Sequence, residues 1–257
     1  MKIATWNVNS LNVRIPRVVE FLELHRPDLL LMQETKTEPD AFPDAALAAV
    51  GYHAVHHSAG RWAGVAIAAR LGVELSDVCA GLEGEPSTDE ARWLEATVDG
   101  LRVVSTYVPN GRAVGSPFYA DKLRFLDAAA ERIRALAGSP FLVAGDFNVC
   151  PTDLDVYDPA AFVGETHVTP AERERFAALL AAGTVDAFRT LHPDEPGFTW
   201  WDYRAGHFHK KMGLRIDAVL LAPVLAERLV ECGIDRNFRK GPKPSDHAPL
   251  LAGLRDA

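Results

Sequence analysis

The sequence predicts an α/β fold built from mixed or antiparallel sheets, with helices covering their outer faces. Three observations lead there. Apolar, β-rich runs outnumber the stretches with helical periodicity. Chemically versatile polar residues gather at the ends of those runs. In "KIATWN", "DLLLMQE", "VVSTYVPN" and "FLVAGDFN" the polar residues follow the apolar stretch, whereas in "RIDAVLL" and "SDHAPLLAGL" they precede it. If all these groups face one site, the last two strands run opposite to the others, which excludes a purely parallel, doubly wound sheet.

The elements follow in order. A strand over 2–6 opens the chain and delivers Asn7 and Asn9, and the apolar spacing of "RIPRVVEFLELH" predicts a helix over 14–25. Strands are expected at 28–32, ending near Glu34, at 64–69, and at 101–108, which carries Tyr107 and leads to Asn110. A helix over 119–137 precedes a strand over 140–145 that runs straight into Asp146 and Asn148. The helix over 169–183 has Thr169 as N-cap, Pro170 in its first turn and Gly183 past its end. Strands over 214–222 and 248–254 bring Asp217 and the Asp246–His247 pair. The echo between "ATWNV" and "GDFNV" hints that two similar halves build the fold.

With 257 residues, 48% of them hydrophobic and 24% charged, the chain can bury a sizeable core, and the absence of a low-complexity linker predicts one domain over 1–257. No apolar run reaches the roughly 18 residues that a membrane span requires. The start, "MKIATWN", lacks a signal-peptide core, and Cys79, Cys150 and Cys232 form no C-x-x-C pair. A reducing, cytoplasmic setting is therefore expected. The net charge of −8 argues against a generally basic nucleic-acid binder. The charge is unevenly spread, however. Residues 72–100 carry eight acids and one base, while 204–215 carry four bases and no acid, and 236–247 four bases and one acid. A polyanion could meet the C-terminal segments while the acidic ones face water.

The residues at the strand ends are nearly all carboxylates and amides, with one histidine, one phenol and no thiol. Any one of them alone is an ordinary turn residue. Together they suit a hard cation, Mg²⁺ or Mn²⁺, and phosphoryl chemistry, in which the cation neutralises phosphate oxygens and an aspartate activates water. The sequence has neither a P-loop nor a G-x-S-x-G elbow.

Eight motifs carry a resemblance from end to end: "TWNVNS" (5–10), "MQETK" (32–36), "YVPNG" (107–111), "GDFNV" (145–149), "PTDLD" (151–155), "TWWDYR" (199–204), "GLRID" (213–217) and "SDHAP" (245–249). In these the chain resembles the exonuclease III family of apurinic/apyrimidinic endonucleases. The resemblance implies a four-layer α/β sandwich with its site at one edge of two packed sheets. It implies that Glu34 ligates Mg²⁺, for which Mn²⁺ can substitute, with Asn7, Asp246, Asp146 and Asn148 close to the ion. Asp146 would orient or deprotonate the attacking water, Asn148 would hold that water or the phosphate, and His247, oriented by Asp217, would bind a phosphate oxygen. Tyr107 would donate to the phosphate or the leaving group. The Asp217–His247 pairing makes sense in its own right, because a carboxylate keeps the imidazole cationic.

For the substrate, the resemblance implies double-stranded DNA with abasic sites or damaged 3′ ends. Trp200, Trp201 and Leu214 would wall a small apolar pocket for a base-free sugar, a lesion that is cheap to extrude. Asn9, Asn110, Arg112, Lys122 and Arg204 are further candidates for DNA contact, and the basic stretch 204–215 would track phosphates. The implied activity is base-excision repair: cleavage 5′ to an abasic site, with 3′→5′ exonuclease and 3′-phosphatase activity. A monomer that does not engage membranes is expected. His167 is expected near the site, biasing endonuclease against exonuclease action. The short "NGRAVGSPFY" segment puts exonuclease processivity in question, and the overall acidity predicts modest, salt-sensitive binding to undamaged DNA.

Overall fold

A computed structural model describes residues 1–256. The first half runs β1 (Lys2–Asn7), α1 (Leu11–His25), β2 (Leu29–Gln33), α2 (Asp44–Ala48), β3 (Tyr52–His57) and β4 (Val65–Arg70). The middle runs β5 (Ser76–Ala80), β6 (Trp93–Val98), β7 (Leu101–Tyr107), α3 (Pro117–Leu136) and β8 (Phe141–Asp146). The chain closes with α4 (Pro170–Ala181), β9 (Val185–Asp186), α5 (Ala187–Leu191), β10 (Asp217–Leu221), α6 (Pro223–Ala226), β11 (Leu229–Ile234) and β12 (Leu250–Leu254).

These strands form two six-stranded sheets, ordered β11-β12-β1-β2-β4-β3 and β5-β6-β7-β8-β10-β9. As expected, β10 and β12 run antiparallel to β8 and β1, while β1–β2 and β7–β8 are parallel pairs. Read along each order, the two sheets have the same pattern: a single parallel pair in the middle, crossed by α1 in one sheet and α3 in the other, with antiparallel neighbours on both sides. Two similar halves do build the fold, but the sequence echo pairs the wrong strands. By position β1 corresponds to β7 and β2 to β8, so the strand that ends in Asp146 is the counterpart of the one that leads to Glu34, not of the one that ends in Asn7.

Alternation decides which residues go where. Ile3, Leu29, Leu31 and Ile67 of one sheet meet Leu94, Val103, Leu142 and Val219 of the other in the central core. The opposite faces take the helices: Trp6, Leu30 and Met32 pack on Val18, Phe21 and Leu22 of α1, and Val104, Phe141 and Leu220 pack on Phe125, Ile133 and Phe176 of α3 and α4. This arrangement is the expected four layers. The helix termini follow the sequence signals. Ser116 accepts from the Tyr119 N–H at the start of α3, and Thr169 and Glu172 form a capping box on α4 with Pro170 in the first turn.

The strands missing from the sequence reading are edges or polar runs. β3 reads "YHAVHH", and β5 is exposed along most of its length. β6 hides Glu95, whose carboxylate is satisfied by Arg102, Arg132 and Trp93. Near the site, the inter-sheet core turns polar. Gln33, the last residue of β2, donates to Thr5 Oγ1 of its own sheet at 3.0 Å and to Ser105 Oγ of the other at 3.2 Å, tying the sheets together near the strand ends.

Candidate active site

The strand ends converge on one edge of the sandwich. Tyr107, Asp146 and Asp217 lie side by side across the second sheet, being register partners on β7, β8 and β10. Asn7 ends β1 beside Gln33 of β2, and the chain then turns through Glu34, which has a left-handed backbone (φ 52). Asn148, two residues past β8, has the same conformation (φ 52). Asparagine tolerates it; for glutamate it is uncommon and is held here by neighbouring backbone bonds, with Ser10 N–H donating to the Glu34 carbonyl at 2.7 Å.

Asn7 sits between the two sheets' carboxylates. Its Nδ2 donates to Glu34 Oε1 at 2.8 Å and to Asp146 Oδ2 at 2.9 Å, while its own Oδ1 accepts from the Asn9 N–H at 3.0 Å. Asn7 therefore positions two carboxylates through its amide nitrogen, while its oxygen is already bonded to the Asn9 N–H. Asn148 is similarly engaged: its backbone N–H donates to Asp146 Oδ1 at 2.9 Å, its Nδ2 to the Val108 carbonyl at 2.9 Å, and its Oδ1 accepts from Asn110 Nδ2 at 3.2 Å.

His247 closes the cluster. Its Nδ1 lies 2.8 Å from Asp217 Oδ2 and its Nε2 3.7 Å from Asp146 Oδ2. Burial works against charge on the imidazole, but Asp217 and then Asp146 outweigh it and raise the group to about 10. It is a cation at neutral pH. Burial raises the Asp146 carboxyl, opposed by His247, so its basicity exceeds that of an ordinary aspartate. Burial pushes Glu34 upward too, yet Lys36, 2.6 Å away, brings it below its ordinary value and keeps it ionised. Burial and the Glu34 charge hold the Tyr107 phenol well above its usual range, so it remains a donor.

Ligand-capable atoms of Glu34, Asp146 and His247 lie within 4.8 Å of one another, so these groups could hold a metal ion. The imidazole is already charged, which leaves the two carboxylates as the fitting donors, and oxygen donors suit a hard divalent cation. Asp246 lies outside this group. Its Oδ1 accepts from Asn9 Nδ2 at 3.0 Å and its Oδ2 from Trp200 Nε1 at 3.1 Å.

The expected pocket residues separate. Trp200 is half-buried, bridges to His247 and Leu214, and packs with Leu214, Val156 and Ile216 to make an apolar wall beside His247. Trp201 points the other way. It is fully buried against Phe208, with Arg236 over its ring, so it does not wall the site. Successive residues of an extended segment face opposite sides, and only one ring of the pair can reach the site.

Lys122 is a second correction. It is fully buried and paired with Glu172, and its Nζ donates to the Asn148 carbonyl at 2.6 Å, so it neither touches DNA nor faces solvent. The basic segments shrink likewise. Arg215 is buried between Asp155 and Asp186, and Arg239 donates to the carbonyls of Trp201 and Asp246. Arg204 is exposed and bonded to Asp202. Arg112 is exposed and lies 3.5 Å from the Phe118 ring centre. His167 is where expected: its Nδ1 is 2.5 Å from the Asn148 carbonyl, its backbone is left-handed (φ 81), and burial with Lys122 nearby lowers it to about 4.

Three residues escaped the sequence reading. Lys36 holds Glu34 and donates to Asn9 Oδ1 at 2.7 Å. Thr199 Oγ1 accepts from the Ile216 and Asp217 N–H groups at 3.2 Å, and Ser245 Oγ donates to the Asn7 carbonyl at 2.7 Å while accepting from the His247 N–H. All three lie inside quoted motifs, "MQETK", "TWWDYR" and "SDHAP", so their place beside the candidates was the available signal.

Comparison with known proteins points the same way. Residues 4–247 match the Endonuclease/Exonuclease/phosphatase family. Exodeoxyribonuclease III of Haemophilus influenzae is 31% identical over 274 residues, spanning 99% of this chain and 100% of that protein. Among solved structures, a 3′ phosphatase from Neisseria bound to a product DNA hairpin superposes with a TM-score of 0.96 at 40% identity, covering 99% of both chains. An AP endonuclease from Archaeoglobus fulgidus superposes with a TM-score of 0.94 at 39% identity, also over 99% of both.

Proposed function

The chain belongs to the endonuclease/exonuclease/phosphatase family, and we propose that within it this protein is a DNA-repair nuclease that hydrolyses the phosphodiester 5′ to an abasic site and removes blocking groups and nucleotides from 3′ ends. The observation that carries the reading is the Asp217–His247–Asp146 line meeting Glu34 across Asn7. It puts a basic carboxylate, a fixed cation and a metal-competent carboxylate within reach of one phosphate.

Glu34 and Asp146 would hold Mg²⁺, for which Mn²⁺ can substitute, and the ion would supply neutralisation of phosphate charge. The chain's own groups do the rest. Asp146, fixed by the Asn148 N–H, orients the attacking water and takes its proton. The water oxygen bonds to phosphorus, the bond from phosphorus to the 3′ oxygen breaks, that oxygen is protonated from solvent, to which Asp146 in turn releases its proton, and the products are a 3′-hydroxyl and a 5′-phosphate. His247, cationic through Asp217, binds a phosphate oxygen and stabilises the charge that builds there. Tyr107, which keeps its proton, donates to the phosphate or the departing oxygen. Trp200 over Leu214 would supply the apolar wall against which a sugar without its base lies, and the exposed Asn110, Arg112 and Arg204 would meet the DNA backbone. We place the protein in the cytoplasm, as a single catalytic domain acting as a monomer on double-stranded DNA.

A second reading, action chiefly at 3′ ends, is favoured by His167. Its ring is held on the carbonyl of Asn148, the residue whose N–H fixes Asp146, so it stands at the edge of the proposed reacting centre. The test of both is a labelled duplex with one stable abasic analogue and a second with a 3′-phosphate, each incubated with Mg²⁺ and with EDTA. Metal-dependent cutting at the lesion that disappears in Asp146→Asn supports the first reading. Metal-dependent release of the 3′-phosphate alone supports the second, and His167→Gly should then gain lesion cutting. No hydrolysis of either duplex overturns the proposed chemistry.

A further inference from the structure

Beside Glu34 opens a cleft of about 560 Å³ whose walls include Tyr107 and Asn110 of the site together with Trp62 and Phe118. Trp200, which is bonded to Asp246 and bridged to His247, is not among its walls. Its volume is that of a small-molecule site. Two features set it apart from an ordinary surface hollow. Trp62 is 66% exposed and Phe118 46%, an uncommon outlay of large aromatic surface to water. Each also has a guanidinium over its ring, Arg61 at 5.2 Å from the Trp62 ring centre and Arg112 at 3.5 Å from that of Phe118. A third guanidinium, Arg92, lies 4.6 Å from the ring centre of Tyr107.

The charges lining the cleft cancel. Lys36, Arg92 and Arg112 stand against Glu34, Glu90 and Asp121, and most are already paired: Lys36 with Glu34, Arg92 with Glu90, and Asp121 with Arg124 outside the cleft. A neutral hollow faced with aromatic rings and guanidinium planes is a poor host for a phosphate and a good one for a nucleobase, which stacks on both kinds of surface. In an intact duplex the bases are stacked on one another and cannot enter. An unpaired base can.

Resting on the nuclease reading above, we propose that this cleft is a stacking subsite for one unpaired nucleotide of the substrate strand, seated by Trp62 and Phe118, which favours frayed or mismatched 3′ ends over paired ones. Trp62 and Phe118 are then specificity residues that do not touch the reacting phosphate.

The test separates binding from chemistry. Of the five tryptophans, Trp6, Trp93 and Trp201 are fully buried, so Trp62 and the half-buried Trp200 are the indoles a ligand can reach, and the difference between wild type and Trp62→Phe isolates the Trp62 signal. Titration with a short oligothymidylate in EDTA should quench the wild-type fluorescence, and Trp62→Phe should lose the signal while still binding by anisotropy of a labelled oligonucleotide. Trp62→Ala should weaken that binding by about 10-fold, the usual scale for one base–aromatic stack. With Mg²⁺, Trp62→Ala and Phe118→Ala should raise KM for duplexes with mismatched 3′ ends and leave KM for fully paired 3′-phosphate ends unchanged, with Trp62→Phe close to wild type. Quenching without any hydrolysis would keep the subsite and overturn the nuclease reading. An oligonucleotide that leaves Trp62 fluorescence unaltered, or variants that weaken paired and mismatched ends equally, would sink the proposal.

Discussion

Replacing Lys122 with Met tests how the catalytic loop is seated. The ammonium and the Glu172 carboxylate are both fully buried, and the same Nζ donates to Asn148 O at 2.6 Å and Thr166 Oγ1 at 3.1 Å. Burial lowers the lysine despite the pull of Glu172, a sign that the pair is held at a desolvation cost. Methionine keeps the stem and removes the charge, stranding the carboxylate, and breaking a buried pair in this way costs about 3–5 kcal/mol. The low end applies here. Glu172 would still accept from Thr166 Oγ1, the His167 N–H, the Thr169 N–H and Thr169 Oγ1, and Asn148 O would keep His167 Nδ1. We therefore expect a loss of about 3 kcal/mol in urea unfolding, or a Tm lower by roughly 6–12 °C for a chain of this size.

The loss carries a pH signature. With its cation gone, Glu172 has a raised folded-state pKa, so the deficit should shrink as pH falls and protonation relieves the stranded charge. Adding Glu172→Gln to Lys122→Met should recover on the order of 1–2 kcal/mol, the coupling typical of residues in contact. Well below the melting transition, kcat should also fall, because the Asn148 N–H that fixes Asp146 hangs from this anchor. A deficit under about 1 kcal/mol that is independent of pH and untouched by Glu172→Gln would refute the reasoning.

Other perturbations have equally definite outcomes. In Asp217→Asn the imidazole loses its main support, so the alkaline limb of the kcat–pH profile, where His247 gives up its proton, should move down from about 10 toward the ordinary 6.5; an unmoved limb would mean that another group sets it. In Gly145→Ala the new methyl would land 1.9 Å from the Thr106 carbonyl oxygen, inside the parallel β7–β8 pair and next to Asp146. Stability should fall by at least about 1–3 kcal/mol and kcat by more than that loss explains, read by urea melts and turnover together. Glu95, pushed up by burial but brought down to about 2 by Arg132, Trp93 and Arg102, contributes stability that is present above its ordinary 4.5 and lost as pH falls through about 2. Glu95→Gln should flatten that acid limb, worth roughly 3 kcal/mol, in pH-dependent unfolding.

How legible the molecule was in its sequence depended on whether a residue's partners were local. Strand direction could be read because Asp217 and Asp246 precede their apolar runs, while Glu34 and Asp146 follow theirs. The helices could be read because Thr169, Pro170 and Glu172 lie within one turn of one another. What could not be read was orientation within a motif. "TWWDYR" does not say which indole faces the site, because that depends on Leu214 on one side and Phe208 on the other. Lys122 resembles a surface residue until Glu172, fifty positions on, is placed beside it. The same holds for Asn7, whose two acceptors come from different sheets. Exposed edges such as β5 and β11 carry little hydrophobic pattern, because only one neighbouring strand specifies them.

The repeated sheet pattern has one more consequence. Glu34 follows β2 and Asp146 ends β8, strands in equivalent places, so each sheet contributes one acid to a shared centre, as two subunits do across a dimer axis. In a true dimer the two acids would be forced to remain alike. Fused in one polypeptide, they are free to differ, and they do: one has Lys36 beside it and is held below its ordinary value, while the other lies beside His247 and is raised by burial. Division of labour between identical starting parts is what covalent linkage allows and symmetry forbids.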